Sequence, residues 1–288
     1  MKFVKSLHNK LKDKGTTLPL ILTEELKESY NTISVTGGNL ERKRAIVFGG
    51  TGGIGLATVE RFLVEGCSVT VVGRNSEKLN KVHDYLGKKN YHNFDTLLFN
   101  SLDLKKSQEQ IKKGFFKSYD FFVNTIGIYS KEDGHGSFRY IEKDLFCNEI
   151  NTNFKSAQVL TEACLYDFRE KADGGVIVNI GSINSEQRKF KFTPYGISKY
   201  ALATYTKKKA EELKDTNISM NLIQPGGVAT NMPNVNVKLG RNIAGRKSND
   251  LRRASLPEEM AALIAFLCSP AGRNINGQVI TASACEEF

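Results

Sequence analysis

At 288 residues with 40% hydrophobic content, the chain is long enough to bury one large core, and single α/β domains of this size are ordinary. Its five cysteines (Cys67, Cys147, Cys164, Cys268, Cys285) are scattered and include no CxxC pair, and its four histidines lack ligand spacing; this pattern points to a reduced, cytoplasmic protein without a structural metal. The net charge of +10 is concentrated, with +4 in residues 1–44 and +5 in residues 231–256, which argues against a general nucleic-acid binder and for two local basic features.

The opening MKFVKSLHNKLKDKG sets Phe3, Val4, Leu7 and Leu11 on one helical face among lysines. Two readings fit it: a weak targeting or membrane-surface helix, or a short helix packed on the domain. No apolar run approaches the roughly 18 residues of a membrane span, and Leu18-Pro19-Leu20-Ile21-Leu22 is too short for a secretory core. Residues 1–43 therefore read as a basic extension ahead of a domain spanning 44–288.

From Arg44 onward, short runs rich in Val, Ile and Phe alternate with longer amphipathic segments, the pattern of repeated βαβ units. Strands are expected at Ala45–Phe48, Val69–Val72, Thr96–Phe99, Phe121–Asn124, Val176–Ile180, Ser219–Ile223 and Gln278–Thr281. Helices are expected near Ile54–Glu65, Ser76–Lys88, Ser107–Phe116, Lys143–Phe168, Pro194–Leu213 and Pro257–Leu267. Such alternation predicts a three-layer α/β fold of Rossmann type, a doubly wound parallel sheet of about seven strands. Residues 231–256 interrupt it with glycines and basic side chains, as a lid or binding loop does.

Between the first strand and helix lies Phe48-Gly49-Gly50-Thr51-Gly52-Gly53-Ile54-Gly55, five glycines in eight residues. Three nucleotide-binding templates fit it: GxGxxG through Gly50, Gly52 and Gly55; GxxGxxG through Gly49, Gly52 and Gly55; and GxxxGxG through Gly49, Gly53 and Gly55. At a strand-to-helix turn, bare backbone lets a pyrophosphate approach the helix N-terminus, where the dipole favours an anion. The second strand ends Val72-Gly73-Arg74. Gly73 removes the carboxylate that holds free ribose hydroxyls and Arg74 supplies a cation for a 2′-phosphate, so NADP(H) is preferred over NAD(H).

Tyr195-Gly196-Ile197-Ser198-Lys199 has the form YxxxK. On a helix, the i,i+4 spacing puts phenol and ammonium on one face, and the ammonium favours the phenolate over a phenol whose pKa is otherwise about 10. Thirteen residues earlier, Gly181-Ser182 closes the strand Val176–Ile180, where a hydroxyl projects from the carboxyl edge of the sheet, the edge at which open α/β sheets bind ligands.

With these features the chain resembles the short-chain dehydrogenase/reductase family in its common single-domain branch, with a likeness to 3-oxoacyl reductases. Asn124-Thr125-Ile126-Gly127 stands where the family has NNAG. Asp103 stands where an Asp contacts adenine, Pro225-Gly226 with Thr230 matches PG-x-x-x-T beside the nicotinamide, and Asn153 matches the Asn of the central helix. The resemblance covers about residues 44–285 and selects the GxxxGxG reading. It implies an NADP(H) site formed by Gly49, Thr51, Gly53, Ile54, Gly55, Arg74, Asp103, Asn124, Gly127, Tyr195, Lys199, Pro225, Gly226 and Thr230.

The resemblance also implies hydride transfer between the nicotinamide and a carbonyl or alcohol carbon. Tyr195 would be the acid/base, and Lys199 would lower its pKa and bind the ribose. Ser182 would bond the substrate oxygen and Asn153 would hold a relay water. Three departures stand out: Phe48 replaces the usual Thr, Thr125-Ile126 replaces Asn-Ala, and the C-terminal segment lacks Asp-Gly-Gly. The last leaves a homo-dimer as well supported as the family's homo-tetramer.

The basic lid, with Arg188, Lys189 and Lys191, points to an anionic substrate such as a 3-oxoacyl thioester of coenzyme A or an acyl carrier protein. A solvated lid whose charge serves solubility is the equal alternative. A non-catalytic NADP-binding regulatory or interaction protein of the same fold is the competing function, and the intact set Asn153, Ser182, Tyr195 and Lys199 speaks for the enzyme.

Overall fold

The computed structural model describes residues 40–103, 111, 114–129, 143–186, 193–230 and 255–283. Seven strands, β1 (Arg44–Phe48), β2 (Ser68–Gly73), β3 (Phe94–Leu98), β4 (Phe121–Asn124), β5 (Gly175–Ile180), β6 (Ile218–Pro225) and β7 (Val279–Ala282), form one sheet in the order β3-β2-β1-β4-β5-β6-β7. Every pairing in it is parallel. Strands covered on both faces have no polar side to alternate with, and β4, β5 and β6 are buried along their whole length.

Helices α1 (Gly53–Val64), α2 (Ser76–Lys88), α3 (Lys143–Ile150), α4 (Ser156–Phe168), α5 (Pro194–Glu212) and α6 (Pro257–Cys268) cover the sheet. The two-residue period of β1 divides its side chains between two cores. Ala45 and Val47 join Val59, Phe62, Val123 and Ile264 on the face of α1 and α6, while Ile46 and Phe48 join Phe122, Leu165, Phe168 and Ile177 on the face of α4.

Phe48 explains one departure noted above. Its ring is 1% exposed and packs against Phe99, Phe116 and Phe122 at centroid distances of 5.6, 6.4 and 5.4 Å. The side chain belongs to the core, where it adds apolar burial, and its carbonyl accepts from Thr125 beyond β4.

The helix expected from Lys143 to Phe168 spans that whole range, and within it lies a π-helical stretch at Asn151–Lys155, closed by Ser156 N donating to Asn151 O. Such a bulge inserts a residue and re-aims the side chains on it. Of the helix expected at 107–116, residues 107–110 and 112–113 lie outside the described residues, and 114–118 fold as a turn. The buried Asp167 carboxylate holds that turn by accepting from Gly114 N at 2.8 Å and Phe116 N at 2.7 Å.

The chain order reverses direction between β1 and β4, which opens a crevice at the carboxyl ends of these two strands. Phe48 and Asn124, paired in register at that edge, mark its floor.

Candidate active site

The glycine turn is built by contacts across the β1–β4 crevice. Gly49 has φ +78°, a conformation that side chains rarely adopt. A methyl added at Gly55 would lie 2.2 Å from Gly49 O and 2.7 Å from Thr125 Oγ1, an overlap with backbone. Thr125 fastens the turn to β4, since its N and its Oγ1 each reach Phe48 O at 2.9 Å. A methyl at Gly52 would be 3.3 Å from Gly49 O, a far milder approach. Gly50 is also confined, by Val71 Cγ1 at 2.7 Å, yet this contact is with the β2 side chain and not with the turn.

Helix α1 starts at this turn with Gly52 as its N-cap and no side chain capping it. Bare N–H groups beside partly exposed Thr51 and Ile54 form the cradle a pyrophosphate needs, so these residues fit a dinucleotide. At the end of β2, a Cβ on Gly73 would meet Thr51 Cγ2 at 2.9 Å and Leu79 at 3.2 Å. A side chain where an acid would stand would have to displace those side chains, and the next residue, Arg74, is exposed. Asp103 is exposed beyond β3, its N donating to Asn100 O at 3.1 Å.

The YxxxK pair lies on the first turns of α5, started by Thr193, whose side chain accepts from Gly196 N at 3.0 Å. Lys199 is 2% exposed and donates to Ile180 O at 2.8 Å and Ile126 O at 3.3 Å. Its ammonium is 6.0 Å from the Tyr195 ring centroid, and burial lowers its pKa to about 8. Gly127 passes directly over it, a Cβ there lying 3.3 Å from Nζ. Tyr195 is 8% exposed and meets the Tyr129 ring edge-on at 5.1 Å.

Asn153 is fully buried on the π-helical stretch. Its Oδ1 accepts from Ile128 N at 2.7 Å, and its Nδ2 donates to Ile128 O at 2.9 Å and to Ser198 Oγ at 3.0 Å. Both amide hydrogens are spent, so its side chain clamps the β4 loop, and a further donor could reach it only at the second lone pair of Oδ1. Ser182 is 8% exposed and accepts from Asn184 N at 3.2 Å. That bond uses an oxygen lone pair and not the hydroxyl proton.

Asn124 is likewise fully buried, donating to Asn179 Oδ1 at 3.2 Å and accepting from Ile126 N at 3.1 Å; it shapes the loop from beneath. Pro225 ends β6, and Gly226 N donates to Ala282 O at 3.1 Å. Thr230 rests on the α1 N-terminus, where a Cβ on Gly53 would meet Thr230 Cγ2 at 2.5 Å. A parallel bridge pairs Val228 with Ser255. Residues 231–254, where a lid is expected, the basic Arg188, Lys189 and Lys191, and residues 1–39 lie outside the described residues.

Of the expected set, Gly49 and Gly55 meet in the glycine turn, Gly127, Asn153, Tyr195 and Lys199 meet at the loop after β4, and Ser182 stands just past the end of β5. Arg74 and Asp103 lie beyond β2 and β3. Three further residues belong to the site: Thr125, Ile128 and Ser198. Ser198 has a local signal, being three residues beyond Tyr195, whose carbonyl its hydroxyl bonds at 2.7 Å. No group of three potential metal ligands occurs among the described residues, nor does any helix among them reach the length and hydropathy of a membrane span.

The family model described as short chain dehydrogenase matches residues 43–238. The chain is similar to the uncharacterized oxidoreductase YvaG of Bacillus subtilis, 30% identical over 261 residues that cover 85% of this chain and 96% of YvaG. It is also similar to the 3-oxoacyl-acyl-carrier-protein reductase FabG of Chlamydia trachomatis, 28% identical over 248 residues, with 85% and 97% covered. A solved structure described as a short chain dehydrogenase/reductase family protein superposes with a TM-score of 0.73 at 26% identity, covering 85% of this chain and 97% of the other.

Proposed function

Because the chain belongs to the short-chain dehydrogenase/reductase family of oxidoreductases, we propose that it is an NADP(H)-dependent carbonyl reductase whose substrates include 3-oxoacyl thioesters. Residues 44–288 form the catalytic domain in this reading, with 231–256 as its lid and 1–43 as an extension. The observation that carries it is the Lys199 ammonium, held dry under Tyr195 by two main-chain carbonyls. A charge kept out of water has full electrostatic effect on a neighbouring phenol.

When bound, the nicotinamide supplies or accepts the hydride. Tyr195 gives its phenolic proton to the substrate carbonyl oxygen in reduction and takes it back in oxidation. Ser182 donates to that same oxygen and orients it. Lys199 stabilises the phenolate left behind and would hold the ribose of the bound cofactor. Asn153 keeps the β4 loop over Lys199 through Ile128 and would hold a relay water. Thr51, Ile54 and the glycine turn would hold the pyrophosphate, Asp103 the adenine, and Pro225, Gly226 and Thr230 the nicotinamide.

Arg74 supports the preference for NADP(H), as an exposed cation beside a glycine that carries no acid. The thioester reading rests on the basic lid sequence and on the similarity to a 3-oxoacyl reductase. The deciding experiment is NADPH oxidation with acetoacetyl-coenzyme A, longer 3-oxoacyl thioesters and neutral ketones, with NADH as comparison and Tyr195→Phe as control. Thioester turnover that favours NADPH and is lost in Tyr195→Phe is expected. Cofactor binding without turnover of any carbonyl would move the non-catalytic interaction protein to the front.

A further inference from the structure

Gln224, the penultimate residue of β6, is fully buried although it is a long polar side chain. Burying an amide without partners is costly, and its neighbours are specific. Gln224 Oε1 accepts from Thr281 Oγ1 at 3.3 Å, across the register pair of β6 and β7. Its Nε2 donates to Ser185 Oγ at 2.7 Å and to Glu186 Oε1 at 3.4 Å. Ser185 Oγ in turn donates to Ser182 O at 2.7 Å.

The direction of this chain is determined by its members. The Ser185 proton is committed to the Ser182 carbonyl, so Ser185 must accept from Gln224, and the amide must present Nε2 there and Oε1 to Thr281. The aliphatic stem of Gln224 meanwhile packs against Gly181, where a Cβ would lie 3.3 Å from Gln224 Cγ. The turn that carries Ser182 is therefore gripped at Gly181 by packing and at Ser185 by a hydrogen bond.

We propose that Gln224 is a positioning residue for Ser182, acting through Ser185 to hold the turn at Ile183–Ser185 so that the Ser182 hydroxyl meets the substrate oxygen. This rests on the reductase reading above, in which Ser182 orients that oxygen. Gln224 touches neither substrate nor cofactor. It transmits the position of β7 to the catalytic turn, a link between the sheet edge and the reaction centre.

The test is a double-mutant cycle on the full chain, read as steady-state reduction of acetoacetyl-coenzyme A or the best ketone by NADPH. Gln224→Met keeps the volume and the stem but neither bond; Gln224→Glu keeps an acceptor for Thr281 and loses the donor to Ser185. Each is expected to lower kcat about tenfold, the scale of a misplaced catalytic group, with NADPH affinity by fluorescence titration unchanged. Ser185→Ala should reproduce the loss. In a Ser182→Ala background Gln224→Met should lower kcat no further, because the route runs through Ser182.

Kinetics of Gln224→Met equal to wild type, or a loss that multiplies fully with Ser182→Ala, would overturn the positioning role while the reductase reading stands. Equal losses in kcat and cofactor affinity would overturn it as well, marking general loosening instead. A wild-type protein that reduces no carbonyl, with Ser182→Ala indistinguishable from it, would overturn the reductase reading and the positioning role together.

Discussion

The Lys199 ammonium lies 6.0 Å from the Tyr195 ring centroid and gives hydrogens to the carbonyl oxygens of Ile126 and Ile180, one from the loop after β4 and one from the end of β5. One side chain thus joins the two strands that flank the reaction centre. Its charge is kept there at a cost that pH reveals.

Burial brings Lys199 from the ordinary lysine value of 10.5 down to about 8. Between those values the unfolded chain binds a proton that the folded chain does not, so stability rises with pH in this window, and the penalty is complete below about pH 8. The rise is on the order of 3 kcal/mol. Urea unfolding of the cofactor-free wild type and of Lys199→Met across this range should show the wild type gaining on the variant as pH increases. A constant difference would mean that Lys199 is not desolvated.

The glycine turn makes a prediction about which glycines matter. Gly55→Ala drives a methyl into Gly49 O and is expected to cost about 1–3 kcal/mol by overpacking. Gly52→Ala meets that oxygen only at 3.3 Å and should cost less than about 1 kcal/mol, the scale of a changed N-cap. Unfolding free energies of the two variants decide between them, and equal costs would count against the GxxxGxG reading.

Arg74→Ala should weaken NADPH binding by roughly tenfold to a hundredfold, the loss of one or two charge-assisted bonds to a phosphate, and leave NADH binding unchanged. Fluorescence titration with each cofactor measures both. Gly73→Asp is not the matching route to NADH, since its Cβ would press on Thr51 and Leu79; that variant should lose stability and affinity for both cofactors.

Asn153→Asp replaces two donors with a buried carboxylate facing Ile128 O and Ser198 Oγ. Asn153→Ala leaves only the Ile128 groups unpaired. The Asp variant should therefore melt lower than the Ala variant at neutral pH, by several degrees, because a buried carboxylate oxygen set against the Ile128 carbonyl costs more than an unmet hydrogen bond. Thermal unfolding of both checks the order, and the reverse order would mean that water reaches the clamp.

Much of the fold was legible in the sequence because its signals are local. Each of the seven expected strands lies within two residues of an observed one at both ends, since apolar runs bounded by turn residues report on their own burial. The helix expected from Lys143 to Phe168 is present at both ends, and only its π-helical stretch around Asn153, which no periodicity marks, was not legible. The end of the helix expected near Phe116 failed because Asp167 captures that segment as a turn.

The motifs likewise determined the family and the order of the site residues along the chain, since YxxxK, the strand-end serine and the glycine turn each sit within a few consecutive positions. What those residues do to one another was decided by the tertiary structure. Thr125 reaches Phe48 across 77 positions, Gln224 reaches Ser185 across 39, and Asn153 reaches Ile128 across 25. Hydrogen bonds of this kind depend on where the sheet brings two strand ends together and leave no trace in the neighbouring sequence. The motifs therefore pointed to the family, and packing where the strand ends meet decided which side chains touch one another.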